Sequence, residues 1–172
     1  MPCLQLREVG VRIQFVGQAP SRETDGKPPF TGKCGQFLAE LLGTTQEQML
    51  LDHDFLNVLD HWPGAGIKGD KFPIPEAKVA ARRKLEQLRG RVVVLLGHNV
   101  ARAFECKTFR YFEWYEIRNP ENSADLVVPL LTVVPHPSQV NRWWNHEESR
   151  MVAGKFLRTL ADSGKEMRGT IK

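Results

Sequence analysis

The chain has 172 residues, 41% hydrophobic and 26% charged, with a formal net charge of +4. That size suits one domain with a full core, the balance excludes a disordered or fibrous chain, and the modest positive excess suits an anionic partner without requiring one. No run approaches the roughly 18 apolar residues of a membrane span and MPCLQLREVG lacks an apolar signal core, so an intracellular, cytoplasmic protein is expected.

The first apolar run, Val11 to Val16 in VRIQFVG, alternates and then becomes continuous, as a strand does when both faces are covered. The connection after it, Gly17 to Gly35, is longer and richer in Gly and Pro than a minimal loop. Phe30, between Pro29 and Thr31, offers a flat apolar face that either caps the core beneath the loop or meets a ligand. Gly32 and Gly35 allow amides near the start of the following helix to face a phosphate, a weak signal alone. That helix is predicted from Lys33 to Leu42, with Phe37, Leu38, Leu41 and Leu42 at helical spacing and Gly43 as its stop.

The second strand, Phe55 to Leu59, carries Asn57 inside FLNVLDHWPG. An amide in an apolar strand must be hydrogen-bonded, so it either closes on its own strand-end backbone or reads the edge of a nucleobase with its paired donor and acceptor. His61, Trp62 and Pro63 read as residues that shape the loop. A helix is predicted from Pro75 to Leu88, with Pro75 in the first turn, Glu76 favourable to the dipole, and Val79, Ala80, Leu85 and Leu88 toward the core. The third strand, Val92 to Leu96, leads through GHN into a short helix capped by Asn99 and running to Phe104.

The fourth strand, Val128 to Val134, ends in VVPHPSQVNRWWN, where His136 is held between Pro135 and Pro137. Such a histidine is either a loop residue with its ring in water or a fixed donor for an oxygen that acquires charge. Ser138 and Arg142 suit phosphate oxygens, while Trp143 and Trp144 read as support for the last helix. That helix, Glu147 to Ala161, is predicted to bury Met151, Val152, Phe156, Leu157 and Leu160. A single domain is therefore drawn over residues 1–162, with a basic tail at 163–172.

Strands alternating with helices imply a three-layer α/β/α sandwich with a parallel-leaning sheet. Ligands bind at the carboxyl ends of such strands, so the four loops are expected to share one edge. Cys3, Cys34 and Cys106 form no C-x-x-C pair, and no phosphate-binding P-loop, dinucleotide fingerprint or nucleophilic triad is spelled out.

Taken in order, GQAPSRETDGKPPFTGKCGQFLAELL, FLNVLDHWPG, RVVVLLGHNVARAF and VVPHPSQVNRWW resemble the uracil-DNA glycosylase superfamily, over about Ile13 to Leu160. The likeness is closest to the branch that has Gly-Glu-x-Pro in its first motif and carries an iron-sulfur cluster. That cluster's four cysteines are missing here, so no cofactor and no metal are expected. The resemblance implies a central four-stranded parallel sheet between helices and a monofunctional, monomeric DNA-repair glycosylase. Such an enzyme flips uracil, or a related deaminated base, out of DNA and hydrolyses its N-glycosidic bond.

By position, the resemblance implies that Phe30 stacks on the flipped base, Asn57 reads its polar edge, and Gln18 with Ala19 supplies backbone contacts to it. His136 would stabilise the departing uracil anion, Ser138 would hold a phosphate, and Gln139, Val140, Asn141 and Arg142 would enter the groove and occupy the gap. Ala19 stands where the best-known branch has a water-positioning aspartate, so Glu23, or else Asp25, is the acid expected to substitute. Gln18 replaces a glutamate and cannot act as a base, while Asp60 and Trp62 stand where basic residues are common. A DNA-binding member that senses a damaged base without excising it is the alternative.

Overall fold

The computed structural model describes residues 12–116, 129–138 and 140–166. Along the chain these form β1 (Ile13–Gly17), α1 (Lys33–Leu42), α2 (Gln46–Asp52), β2 (Asp54–Asn57), β3 (Ala65–Gly66), β4 (Gly69–Asp70) and α3 (Ile74–Leu88). Then follow β5 (Val92–Leu96), α4 (His98–Ala103), β6 (Trp114–Glu116), β7 (Leu130–Val134), a short 3-10 helix (Arg142–Asn145) and α5 (Glu147–Glu166).

Side chains alternate across a strand, and the apolar runs use both directions. Ile13, Phe15, Val94, Leu96 and Val134 pack with residues of α1, α2 and α5 on one face. Val16, Val93, Leu95, Leu131 and Val133 pack with residues of α3 and α4 on the other. The near-continuous hydrophobicity of these runs thus becomes two cores separated by one sheet, the expected α/β/α sandwich. The sheet order is β2-β1-β5-β7-β6. The first four of these strands are mutually parallel, as expected, and β6 adds an antiparallel edge beside β7. The three residues of β6 are too few to announce a period in sequence. A separate antiparallel hairpin, β3–β4, lies between β2 and α3.

Several expected boundaries and phases are corrected. The pairing of β2 ends at Asn57, although Val58 and Leu59 extend the ladder by donating their amides to the carbonyls of Gly17 and Gln18. Val11 and Val128 lie outside the described residues, as does the tail beyond Glu166, while α5 itself continues past Ala161. Met151 and Val152 are exposed, because the buried stripe of α5 runs through Ala153, Gly154 and Leu157. Met151 precedes Ala153 by two positions, about 200° around the helix. Small residues set that phase, since a Cβ on Gly154 would lie 3.3 Å from the carbonyl oxygen of Leu41 on α1. Val79 is exposed for the same angular reason, lying between the buried Ala77 and Ala81 on α3. Asn99 is not the cap of α4; Gly97 is, and Asn99 sits one position inside the helix. Among the described residues, no helix is long and apolar enough to cross a membrane.

Candidate functional site

Four parallel strands end side by side, and what ends them differs by position. The central pair, β1 and β5, end at Gly17 and Gly97. The strands that flank them, β2 and β7, lead to Asn57 and His136. The Asn57 side chain leans over Gly17, and His136 crowds Gly97. A Cβ on Gly17 would lie 2.5 Å from Asn57 Oδ1, and one on Gly97 would lie 2.8 Å from His136 Cβ. Neighbouring strands are about 4.8 Å apart, so the outer pair stand roughly 14 Å apart at their backbones. The strand ends thus set two glycines between Asn57 on one side and His136 on the other, a candidate slot with a backbone floor.

Phe30 closes the slot on the Asn57 side. Its ring lies 2.7 Å from the same hypothetical Cβ on Gly17 and 5.4 Å, centroid to centroid, from Phe55. Its backbone has φ of 63°, a conformation costly for an aromatic residue, and its carbonyl accepts a 2.7 Å hydrogen bond from Gln46 Nε2. Gly35 is required by this arrangement, since a Cβ there would meet the Phe30 carbonyl oxygen. Phe30 thus rests on the core, as one of its two readings has it, and is left partly exposed beside the strand ends.

Asn57 is positioned from below. Lys84 of α3, whose side chain is only 12% exposed, donates to the Asn57 carbonyl at 2.6 Å and to Asp60 Oδ1 at 2.5 Å. The main-chain carbonyl of the strand end is thus held by a lysine, while the side-chain oxygen of Asn57 lies over Gly17. Gln18 joins the two halves of the slot, because its carbonyl accepts from Leu59 and its Oε1 accepts from Asn99 Nδ2 at 3.4 Å. Ala19 packs partly against the core on the α3–α4 face.

His136 is fixed by three donors on its own carbonyl: the Ser138 amide at 2.8 Å, Asn141 Nδ2 at 3.2 Å and Trp144 Nε1 at 2.7 Å. Trp144 is itself buried against Phe37, so the loop is anchored in the core rather than merely braced against α5. Burial lowers the imidazole pKa from 6.5 to about 4, so the ring is neutral at pH 7 and carries one N–H donor.

The remaining candidates lie around this centre. Val140 is exposed, as is Arg142, while Asn141 spends its amide on His136 and on the Trp143 N–H. Ser138 is half-buried, and Gln139 lies outside the described residues. Glu23 is exposed. Asp25 Oδ1 accepts the Trp62 amide at 3.0 Å and Arg22 lies 5.9 Å above the Trp62 ring, so the loop after β1 (loop one) clasps the loop after β2 (loop two) there. Lys84, Trp144 and Gln46 were not legible as site residues. Lys84 and Gln46 reach backbone carbonyls 27 and 16 residues away and Trp144 one 8 residues back in its own loop, and no periodicity records such bonds. The glycine endings VG and LG of the central strands were the available signal.

A four-thiolate cluster does not fit these residues. The chain has three cysteines, and among the described residues no group of three or more metal-ligating side chains converges. Burial also raises the Cys34 thiol pKa and pushes that of Cys106 up to about 11, away from the thiolate a metal requires.

Compared with known proteins, residues 5–161 match the family described as the Uracil DNA glycosylase superfamily. No curated protein sequence matches the chain.

Proposed function

The chain belongs to the uracil DNA glycosylase superfamily, and from that premise we propose that it excises uracil, or a closely related deaminated base, from DNA. The observation that carries this reading is the pair of glycine-ended central strands flanked by Asn57 and His136. A planar base entering such a slot meets backbone below, an amide at one edge and an imidazole donor at the other.

The enzyme's work divides accordingly. Extrusion of the base costs a few kcal/mol of pairing and stacking, which Phe30 offsets by offering its ring. Asn57 presents its donor and acceptor to the polar edge of the pyrimidine while Lys84 holds its carbonyl. As the N-glycosidic bond breaks, its electron pair passes to the base and the sugar acquires oxocarbenium character. His136, neutral because of burial, donates its N–H to the base oxygen on which that charge collects. Water then adds to the sugar carbon and its proton passes to the base anion, which leaves as the neutral base. The acid that orients this water is sought in loop one, where Glu23 faces solvent and Asp25 is oriented by the Trp62 amide. Ser138 and Arg142 would meet the backbone phosphates, and the exposed Val140 would fill the vacated stack.

The test is base release from a uracil-containing oligonucleotide, single-stranded and duplex, read as strand breaks after alkali. Asn57→Ala and His136→Ala are expected to lower the rate by about 100-fold or more. Glu23→Gln and Asp25→Asn then show which acid serves the water. Absence of release from uracil, hypoxanthine and xanthine would overturn the proposal, and tight binding without release would identify a sensor of damaged bases instead.

A further inference from the structure

Among the described residues, the most exposed large apolar side chains are Ile67, fully exposed, and Val140, 89% exposed; the next is Met151 at 64%. Val140 lies in the loop already assigned to the gap in the stack. Ile67 lies at the tip of the β3–β4 hairpin, in the loop that follows Asn57. Both loops leave the carboxyl edge of the sheet.

The hairpin is built thin. Its shank pairs Ala65 with Asp70 and Gly66 with Gly69, and a Cβ on Gly66 would lie 2.9 Å from the Gly69 carbonyl oxygen. Its neck is closed by the Lys71 amide on the Gly64 carbonyl at 2.9 Å. Its root is fastened to loop one by the Leu59–Gln18 and Trp62–Asp25 hydrogen bonds. From Gly64 to Ile67 the finger extends roughly 10 Å, at about 3.3 Å per residue. Lys68 at the tip and Lys71 at the neck are exposed, with Asp70 the one acid among residues 64–71.

We propose that this hairpin is a second DNA-binding element that enters the minor groove of a duplex, with Ile67 against the base pairs and Lys68 and Lys71 on the flanking phosphates. Paired strands about 4.8 Å apart overfill a minor groove of about 6 Å, so the shank enters only as the wedge kinks and opens the duplex; Ala and Gly keep that opening small, and branched apolar wedges with flanking cations suit that groove. The duplex would then be held at two points, Val140 and Ile67, on either side of the slot. The inference rests on the DNA reading above and adds a substrate preference, because a lone strand has no groove for the finger.

Binding is measured by fluorescence anisotropy on a uracil-free duplex and on the matching single strand, across a salt series, with uracil release followed in parallel. Ile67→Ser is expected to weaken duplex binding about tenfold and single-strand binding less than about twofold, the loss expected from burying one branched side chain. Lys68→Gln with Lys71→Gln is expected to reduce the slope of log K against log salt by about 1.8. Val152→Ser, on the exposed face of α5, serves as the control and is expected to change neither binding nor release. Equal binding by Ile67→Ser and the parent, or equal losses on duplex and single strand, overturns the hairpin proposal. If release persists in that case, the glycosylase reading stands. If the tenfold duplex loss appears but the parent releases no base, the hairpin stands and the glycosylase reading falls. A parent that binds no DNA overturns both.

Discussion

His136 illustrates how much one residue's setting decides. Its imidazole is kept neutral by burial, with a pKa near 4 in the folded protein against 6.5 for the ordinary group. Between those values the unfolded chain binds a proton that the native state does not. Stability is therefore full above about pH 6.5 and declines as pH falls toward 4, by at most about 3 kcal/mol from this residue. Urea unfolding at pH 7 and pH 4.5 is expected to show this loss, and His136→Gln is expected to show a smaller one. His136, Asn57 and Phe30 were visible in sequence because each breaks the local pattern: a histidine between prolines, an amide in an apolar strand, an aromatic in a Gly-Pro loop. The bonds that hold them were invisible, since a side-chain bond to a backbone carbonyl leaves no pattern in sequence, whether it spans 27 residues, as from Lys84, or 8 within one loop, as from Trp144.

At the level of elements, α3 connects the core to the slot. Its apolar face lies on the sheet, yet its nearly buried Lys84 reaches the end of β2 and holds both the Asn57 carbonyl and Asp60. Lys84→Met keeps the stem and removes both bonds. Base release is expected to fall more than binding, because the Asn57 wall loses its alignment, while stability drops by about 1–3 kcal/mol from the unsatisfied carbonyl. Release kinetics beside thermal melts check this, with Lys84→Arg restoring part of the rate. The bounds of α1 were legible because apolar spacing and Gly43 agree, and Gly43 does take the left-handed conformation that ends the helix. The buried phase of α5 was misread because Ala153 and Gly154 carry no hydrophobic weight in sequence, although they permit the close approach to α1. The start of α4 was misread because Asn99 is a good cap by type, whereas Gly97 is required where His136 crowds it.

Across the whole molecule, the sandwich and its parallel order followed from four apolar runs separated by helices. The β3–β4 hairpin and the edge strand β6 did not, being only two and three residues per strand. The placement of the slot also sets the time course of its folding. Gly17, Asn57, Gly97 and His136 each belong to the end of a different parallel strand, and every parallel pairing spans at least one intervening helix. Such non-local pairings pay loop-closure entropy before their contacts form, and they are slow. No three strands suffice to build the slot. After dilution from denaturant, helical signal is therefore expected to return first, and the capacity to release a base only with the slowest phase.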